Sequence, residues 1–328
     1  MKTVRMLSML LVVVVAVSAC ASPTPTQAPA TQAPEQPTTA PVVQPTAIPP
    51  TEAPTNTPAP TPVASLPSDA VQLAGRLLVC SDIPYPPMEL FDQNGNPAGS
   101  DIDIANELAN RLGLKMQVVN SVFDTVIAAV KGGKCDVIIS DMNITADRNK
   151  QVSMIPYFQA GQSMLVAKGN PSNINAPTDL CGQSVAAESG TTEVDYLQGT
   201  GDYKGKGLTA DCTKAGKKPP TVVVAQKDTD ALQQLQAGKV ASYFADTPVA
   251  AYYVVQHPDQ FQVVGQVIEP AVVGIALPCA PDQTDCTNAP LTPLGQAIQT
   301  ALKSMIADGT YDKILAKWNL TSGAYKPQ

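Results

Sequence analysis

The sequence predicts an α/β protein built from two lobes, each a sheet of parallel type faced by helices. Three observations carry this. From Gly75 onward, short apolar runs alternate with amphipathic helical periods. The alternation occurs twice, with different residues each time. Residues 22–67, ahead of that alternation, have too few apolar side chains to add a core of their own.

The chain opens with Lys2 and Arg5, then an apolar run from Met6 to Val17. That run is shorter than the roughly 20 residues a membrane-spanning helix needs, so residues 1–19 read as a signal peptide. Val17-Ser18-Ala19-Cys20 resembles the bacterial lipobox, which implies that Cys20 is lipidated and begins the mature protein. Two acyl chains on one cysteine hold a protein stably where one does not. Residues 22–67 contain 14 prolines and 10 threonines among 46 positions, a composition that favours extended polyproline-like chain over a packed fold. Residues 20–68 therefore read as a lipidated cysteine followed by a disordered spacer.

The remainder, from about Asp69 to Gln328, suffices for one large domain or two small ones. Removing Lys2 and Arg5 leaves 19 basic residues against 28 acidic ones, a net charge of −9 with His257 neutral. Such an acidic surface argues against nucleic acid as a partner. Of seven cysteines, six remain besides Cys20: Cys80, Cys135, Cys181, Cys212, Cys279 and Cys286. In an exported protein they suggest three disulfides, with fifteen pairings open in principle. Their spacing fits no compact zinc pattern and His257 is the lone histidine, so neither a metal nor any cofactor is expected.

In the first unit, "RLLVCSD" (76–82) is a short apolar strand. "SDIDIANELANRLG" (100–113) is a helix with Ile104, Leu108 and Leu112 on one face and Gly113 as its stop. "KMQVVNS" reads as a strand, "FDTVIAAVKGG" as a helix and "KCDVIISD" as a further strand. The second unit repeats the order. Strands are expected in "QSVAAES" (183–189), "TVVVAQ" (221–226) and "VASYFAD" (240–246), and helices in "TTEVDYLQG" and "DTDALQQLQAGK". A strand "VVGIALP" (272–278) and a long helical stretch within "PLGQAIQTALKSMIADGTYDKILAKWNL" follow. Ligands of parallel sheets bind beyond the carboxyl ends of the strands, where helix N-termini point. Two such lobes face to face would make a cleft.

Five blocks carry a resemblance, in register from about Leu77 to Trp318: "SDIPYPPMELFDQNGNPAGSDIDIANELANRLG", "FDTVIAAVKGGKCDVIISDMNITADR", "ESGTTE", "AGKVASYFADTPVA" and "DGTYDKILAKW". They resemble the family 3 extracellular solute-binding proteins, the amino-acid receptors of ABC importers. The resemblance implies a two-lobed periplasmic-binding-protein-like type II fold with two crossing hinge strands. Lobe 1 is then 69–156 plus 274–328, lobe 2 is 162–268, and the hinge is 157–161 and 269–273. It also implies a ligand that closes the lobes like a clamp.

An α-amino acid presents a carboxylate and an ammonium, and burying either unpaired is very costly. Arg148 in "NITADR" is the expected carboxylate clamp, since a guanidinium holds a carboxylate through parallel hydrogen bonds. Thr145 is the expected cap of the helix that carries it. The resemblance makes Asp246 the partner of the α-ammonium. In "ESGTTE", Gly190, Thr191 and Thr192 form a second helix start facing the same carboxylate. Tyr85 and Phe123 match aromatics that sandwich the ligand side chain. Ser140 and Asn143 line the same strand end; Asn143 stands where many members have Thr or Ser. Asp141 stands where Gly or Ser is common, either turned outward or favouring a cationic ligand. With Asp82 and Glu188 it hints at a polar or cationic side chain.

The same layout suggests the pairs Cys80–Cys135, Cys181–Cys212 and Cys279–Cys286, the first with an offset register. The expected protein is a monomer that makes and breaks no bond. It is exported and held by lipid at the outer face of the cytoplasmic membrane, where it delivers a free amino acid to a membrane permease. Two other readings stay open: a ligand-sensing receptor subunit, and a cyclohexadienyl dehydratase-like enzyme on the same fold.

Overall fold

The computed structural model describes residues 66, 67 and 69–325. The signal segment 1–19, Cys20 and residues 22–65 of the spacer lie outside the described residues. In the first half of the chain lie strands β1 (Arg76–Ser81), β2 (Leu90–Phe91) and β3 (Pro97–Ala98), helix α1 (Ser100–Arg111) and strand β4 (Lys115–Asn120). Helix α2 (Val126–Lys131), strand β5 (Val137–Ile138), the single turn α3 (Ala146–Asn149) and the long strand β6 (Ser153–Ala167) follow. The second half contains β7 (Ser184–Glu188), α4 (Thr192–Gln198), α5 (Gly207–Lys214), β8 (Thr221–Ala225) and α6 (Asp228–Gln236). It continues through β9 (Ser242–Asp246), α7 (Thr247–Gln256) and the second long strand β10 (Phe261–Leu277) to α8 (Pro293–Ala307) and α9 (Thr310–Lys317).

The strands run in the order β4-β1-β5-β10-β6-β9-β7-β8. At one end β4, β1 and β5 are parallel, and at the other β9, β7 and β8 are parallel. Between the two sets lie β6 and β10, paired antiparallel from Ser153–Leu277 to Ala167–Phe261. Only the far half of β6, Gln162–Leu165, pairs with β9, while the opposite end of β10 reaches β5 through Ala276. The two parallel sets are thus joined through one pair of long strands. That pair is irregular between Val264 and Ala271 and again at Val273/Gly274. Among the described residues no helix is long and apolar enough to cross a membrane.

Helix α1 shows why the sequence forms these elements. Ile104, Ala105 and Leu108 share a fully buried stripe, Asp101 and Asp103 sit in the first turn and Arg111 in the last, as the helix dipole favours. The chain then turns at Gly113, whose φ of 69° lies in the left-handed region. Arg111 is buried and ties α1 to the junction of α8 and α9, donating to Ser304 at 2.7 Å and pairing with Asp308 at 2.7 Å. Leu77, Val79, Val137 and Ile139 complete the core beneath α1. In the second half Val166, Val185, Ala187, Leu197 and Phe244 pack a separate cluster.

Three local expectations differ from the structure. "KCDVIISD" forms a ladder only at Val137–Ile138, because the chain leaves the sheet at Ser140 to build the cleft wall. The segment around Cys212, to which the periodicity assigns no element, contains α5: Leu208 and Cys212, one helical turn apart, are both buried, and this anchors a glycine- and lysine-rich stretch. The long C-terminal helical stretch is two helices, broken at Gly309 with φ 77°.

Disulfides join Cys80 to Cys135, Cys181 to Cys212 and Cys279 to Cys286, with Cα separations of 5.7, 5.6 and 5.4 Å. Cys80 stands opposite Ile138 in the ladder and Cys135 precedes β5, so this bridge crosses an offset register. The bridges span 55, 31 and 7 residues. Chain-entropy arithmetic then ranks them at about 4, about 4 and about 2 kcal/mol. Paired Cys→Ala replacement, followed by denaturant unfolding, is expected to destabilise least at Cys279/Cys286.

Candidate functional site

The cleft walls are the carboxyl ends of the parallel strands. Asp82 follows β1, Phe123 follows β4, and Ser140, Asp141 and Asn143 follow β5. From the other side Glu188 ends β7, Thr191 caps α4 and Asp246 ends β9. These residues, with Tyr85, Glu89 and Glu193, line one cavity. It measures about 10 Å³, the room of a single water, so a larger solute enters only when the walls part.

The two walls touch directly. The Tyr85 hydroxyl donates to Asp246 at 2.9 Å, and the Thr192 hydroxyl donates to Asn143 Oδ1 at 2.8 Å. Arg148 is buried and donates to the carbonyls of Asn143 and Gly190, each at 2.9 Å. Its guanidinium also lies 5.3 Å from the Phe123 ring centroid. Two of its five N–H groups are used in this way, leaving three for another acceptor. Thr145 caps α3 and accepts from the Arg148 N–H at 3.1 Å. Gly190, at φ 77°, lets this turn approach the opposite wall: a Cβ there would stand 2.5 Å from Asp124 Cα.

Of the expected site residues, Asp82, Tyr85, Phe123, Ser140, Asp141, Asn143, Glu188, Thr191 and Asp246 line the cavity. Thr145, Arg148, Gly190 and Thr192 stand behind that lining, in the contacts just described. Asp141 is buried rather than turned outward, and its φ of 37° is a left-handed value. A backbone of that kind suits glycine better than aspartate.

Several neighbours were not anticipated. Asp101 accepts the Asp141 N–H at 2.8 Å and the Tyr157 hydroxyl at 2.7 Å, and so fixes the strained turn. Glu89 accepts from the Ser140 hydroxyl at 2.5 Å, and Ser140 in turn accepts the Asp82 N–H at 2.9 Å. Glu193 adds another buried carboxyl. Asp202 reaches from the second half to the Ala146 and Asp147 N–H groups at 2.7 and 3.2 Å. Lys227 pairs with Asp82 across the cleft. Glu89 and Glu193 were detectable as acids inside matched blocks, and Lys227 by its place between a strand and a helix.

The electrostatics are those of crowded buried acids. Burial is the first cause that raises the carboxyls of Asp82, Glu89, Asp141, Glu193 and Asp246 above their ordinary range, with neighbouring carboxylates adding for Glu89, Asp141 and Asp246. Glu188 is pushed up to about 10 and Asp101 to about 6 by the same burial. Both Asp141 oxygens, Glu188 Oε1, Glu193 Oε1 and Asp246 Oδ1 have no hydrogen-bond partner among the described residues. Burial lowers the Arg148 guanidinium, against the carboxylates of Glu193, Asp195 and Asp246. Unpartnered acceptor oxygens and one buried guanidinium are thus what the cleft offers a solute. Among the described residues no cluster suited to a metal ion occurs.

Known proteins are similar to this chain in sequence and fold. ABC transporter arginine-binding protein 1 of Escherichia coli is 29% identical over 238 residues, covering 71% of this chain and 86% of that protein. The arginine-binding protein ArgT of Corynebacterium glutamicum is 26% identical over 261 residues, 80% of each. Among solved structures, an ancestral arginine-binding protein bound to arginine is 35% identical with a TM-score of 0.63, covering 74% of this chain and 98% of its own. These relatives are two-lobed amino-acid-binding proteins. The sequence model for bacterial extracellular solute-binding proteins, family 3, matches residues 77–321, and the chain belongs to that family.

Proposed function

We propose that this protein captures a polar or cationic amino acid for an ABC importer by closing two lobes around it. The observation that carries the reading is the cleft itself: six carboxyl groups line it, with one buried guanidinium behind. The ligand carboxylate would take the N–H groups of Arg148 left over from its bonds to Asn143 and Gly190. Asp246, held by Tyr85, would take the α-ammonium, and the side chain would run toward Asp82 and Glu188. Arginine, for which the relatives above are named, has a matching charge. The lobes are 69–156 with 274–328, and 162–268, moving about 157–161 and 269–273. These last two segments face each other as Ala160–Ala271, Gln159–Val272 and Phe158–Val273. Glu269, with a left-handed φ of 45°, stands at this crossing. Binding without chemistry is the mechanism, on a monomer exported and anchored through Cys20.

Calorimetric titration with the free amino acids tests this. One class is expected to bind at about micromolar Kd or tighter. Arg148→Ala is expected to weaken that binding by roughly a hundredfold or more, through loss of a buried charge partner. Retained affinity in Arg148→Ala removes the clamp.

The buried acids also set a pH dependence. A carboxyl raised in the folded state contributes stability below its unfolded pKa, and that contribution is lost as pH rises through the folded value. Asp101 rises from 3.8 to about 6, Asp228 from 3.8 to about 7, and Glu188 from 4.5 to about 10, each chiefly by burial. The ligand-free melting temperature is therefore expected to fall between about pH 5 and pH 8. A cationic ligand stabilises the ionised acids, so the thermal shift that it produces should grow over the same interval.

A further inference from the structure

Lys227 ends the connection from β8 and stands immediately before α6. Its backbone carbonyl accepts from Asp230 and Ala231 N–H at 3.1 Å each, which holds the helix start whatever the side chain. The side chain crosses to the opposite wall. There its ammonium pairs with Asp82 and lies 3.5 Å from the Ser121 carbonyl oxygen. Asp82 is 2% exposed and Lys227 25%, so one end of the pair is walled in and the other can reach solvent. Asp82 is oriented independently, accepting the Phe123 N–H at 2.7 Å. Glu188 lines the same end of the cavity, with Asp228 behind it, hydrogen-bonded to the Tyr243 and Tyr253 hydroxyls.

This end of the cleft therefore already contains a cation. Burial pushes Glu188 up to about 10, which favours its neutral form, and the carboxylate that faces the Lys227 ammonium is that of Asp82. A ligand cation that pairs with Asp82 has to push the Lys227 ammonium out toward water. A neutral side chain that donates hydrogen bonds to Asp82 leaves the internal pair in place.

We propose that Lys227 is a specificity-determining residue: an internal counter-ion for Asp82 that lowers affinity for a cationic side chain relative to an uncharged one of the same shape. The inference rests on the reading of the cleft as an amino-acid site with the side chain directed at Asp82. Lys227 contributes through Asp82, so its effect is on the ratio of affinities and not on amino-acid binding as such. In the substitution Lys227→Gln, Asp82 loses its resident cation, and a ligand guanidinium takes that role without competition.

The probes are arginine and citrulline, whose side chains have nearly the same shape and differ in charge. Both are titrated calorimetrically into the full chain, into Lys227→Gln and into Lys227→Met. The arginine-to-citrulline affinity ratio is expected to rise by about tenfold or more in both variants. In an Asp82→Asn background, Lys227→Gln is expected to change the ratio by no more than about twofold, since the two residues act as one unit. A ratio that stays level or falls in both variants, or one that rises equally without Asp82, overturns the proposal. Failure of the unsubstituted protein to bind any free amino acid overturns the reading of the cleft and this inference with it.

Discussion

The arrangement depends on one electrostatic constraint: more acids are buried in the cleft than the protein itself neutralises. Asp82, Glu89, Asp141, Glu188, Glu193 and Asp246 line it, and Arg148 and Lys227 are the cations within reach. Ionised carboxylates out of water need partners, and several of these oxygens have none among the described residues. The site is therefore kept neutral by protonation or by a cation, and the proposed ligand supplies the second.

The fold gives that local constraint a route into the movement proposed above. The acids sit at or beyond the carboxyl ends of parallel strands of two separate sets, and those sets are joined through β6 and β10 alone within the sheet. Tyr85–Asp246, Thr192–Asn143, Arg148–Gly190 and Lys227–Asp82 each cross the cleft. Every one of them exists only when the halves meet. In the proposed closure, ligand contacts to both walls would add to this set, and binding would bias the closed form by its differential affinity for that form. The interruptions in the β6–β10 register, near Glu269 and Gly274, lie where the proposed hinge must absorb the motion.

Much of the site was legible because its residues fall inside local patterns. Arg148 after a Thr cap, Asp246 at a strand end and the Gly190-Thr191-Thr192 turn each combine a short motif with a strand–helix junction. Asp202, Lys227 and Glu89 were not read, because each gains its significance from a residue far away in the chain. Asp202 meets Ala146 from 56 residues away, and Lys227 meets Asp82 from 145 residues away. Phe123 shows a milder case. Its aromatic character was plain, but only packing shows that the Arg148 guanidinium lies over its ring.

The sequence by itself determined the strand–helix alternation, the buried stripe of α1, the stop at Gly113, and the chemistry available at each strand end. These follow from backbone propensity and side-chain periodicity, which act over a few residues. Only the tertiary structure decided that β6 and β10 pair along their length with interruptions in register, that Asp141 turns inward on a left-handed backbone, and that a lysine from one half pairs with an aspartate from the other. Those outcomes depend on which distant groups share a low-dielectric space. Chain order does not encode that distance; the packing of the two halves creates it.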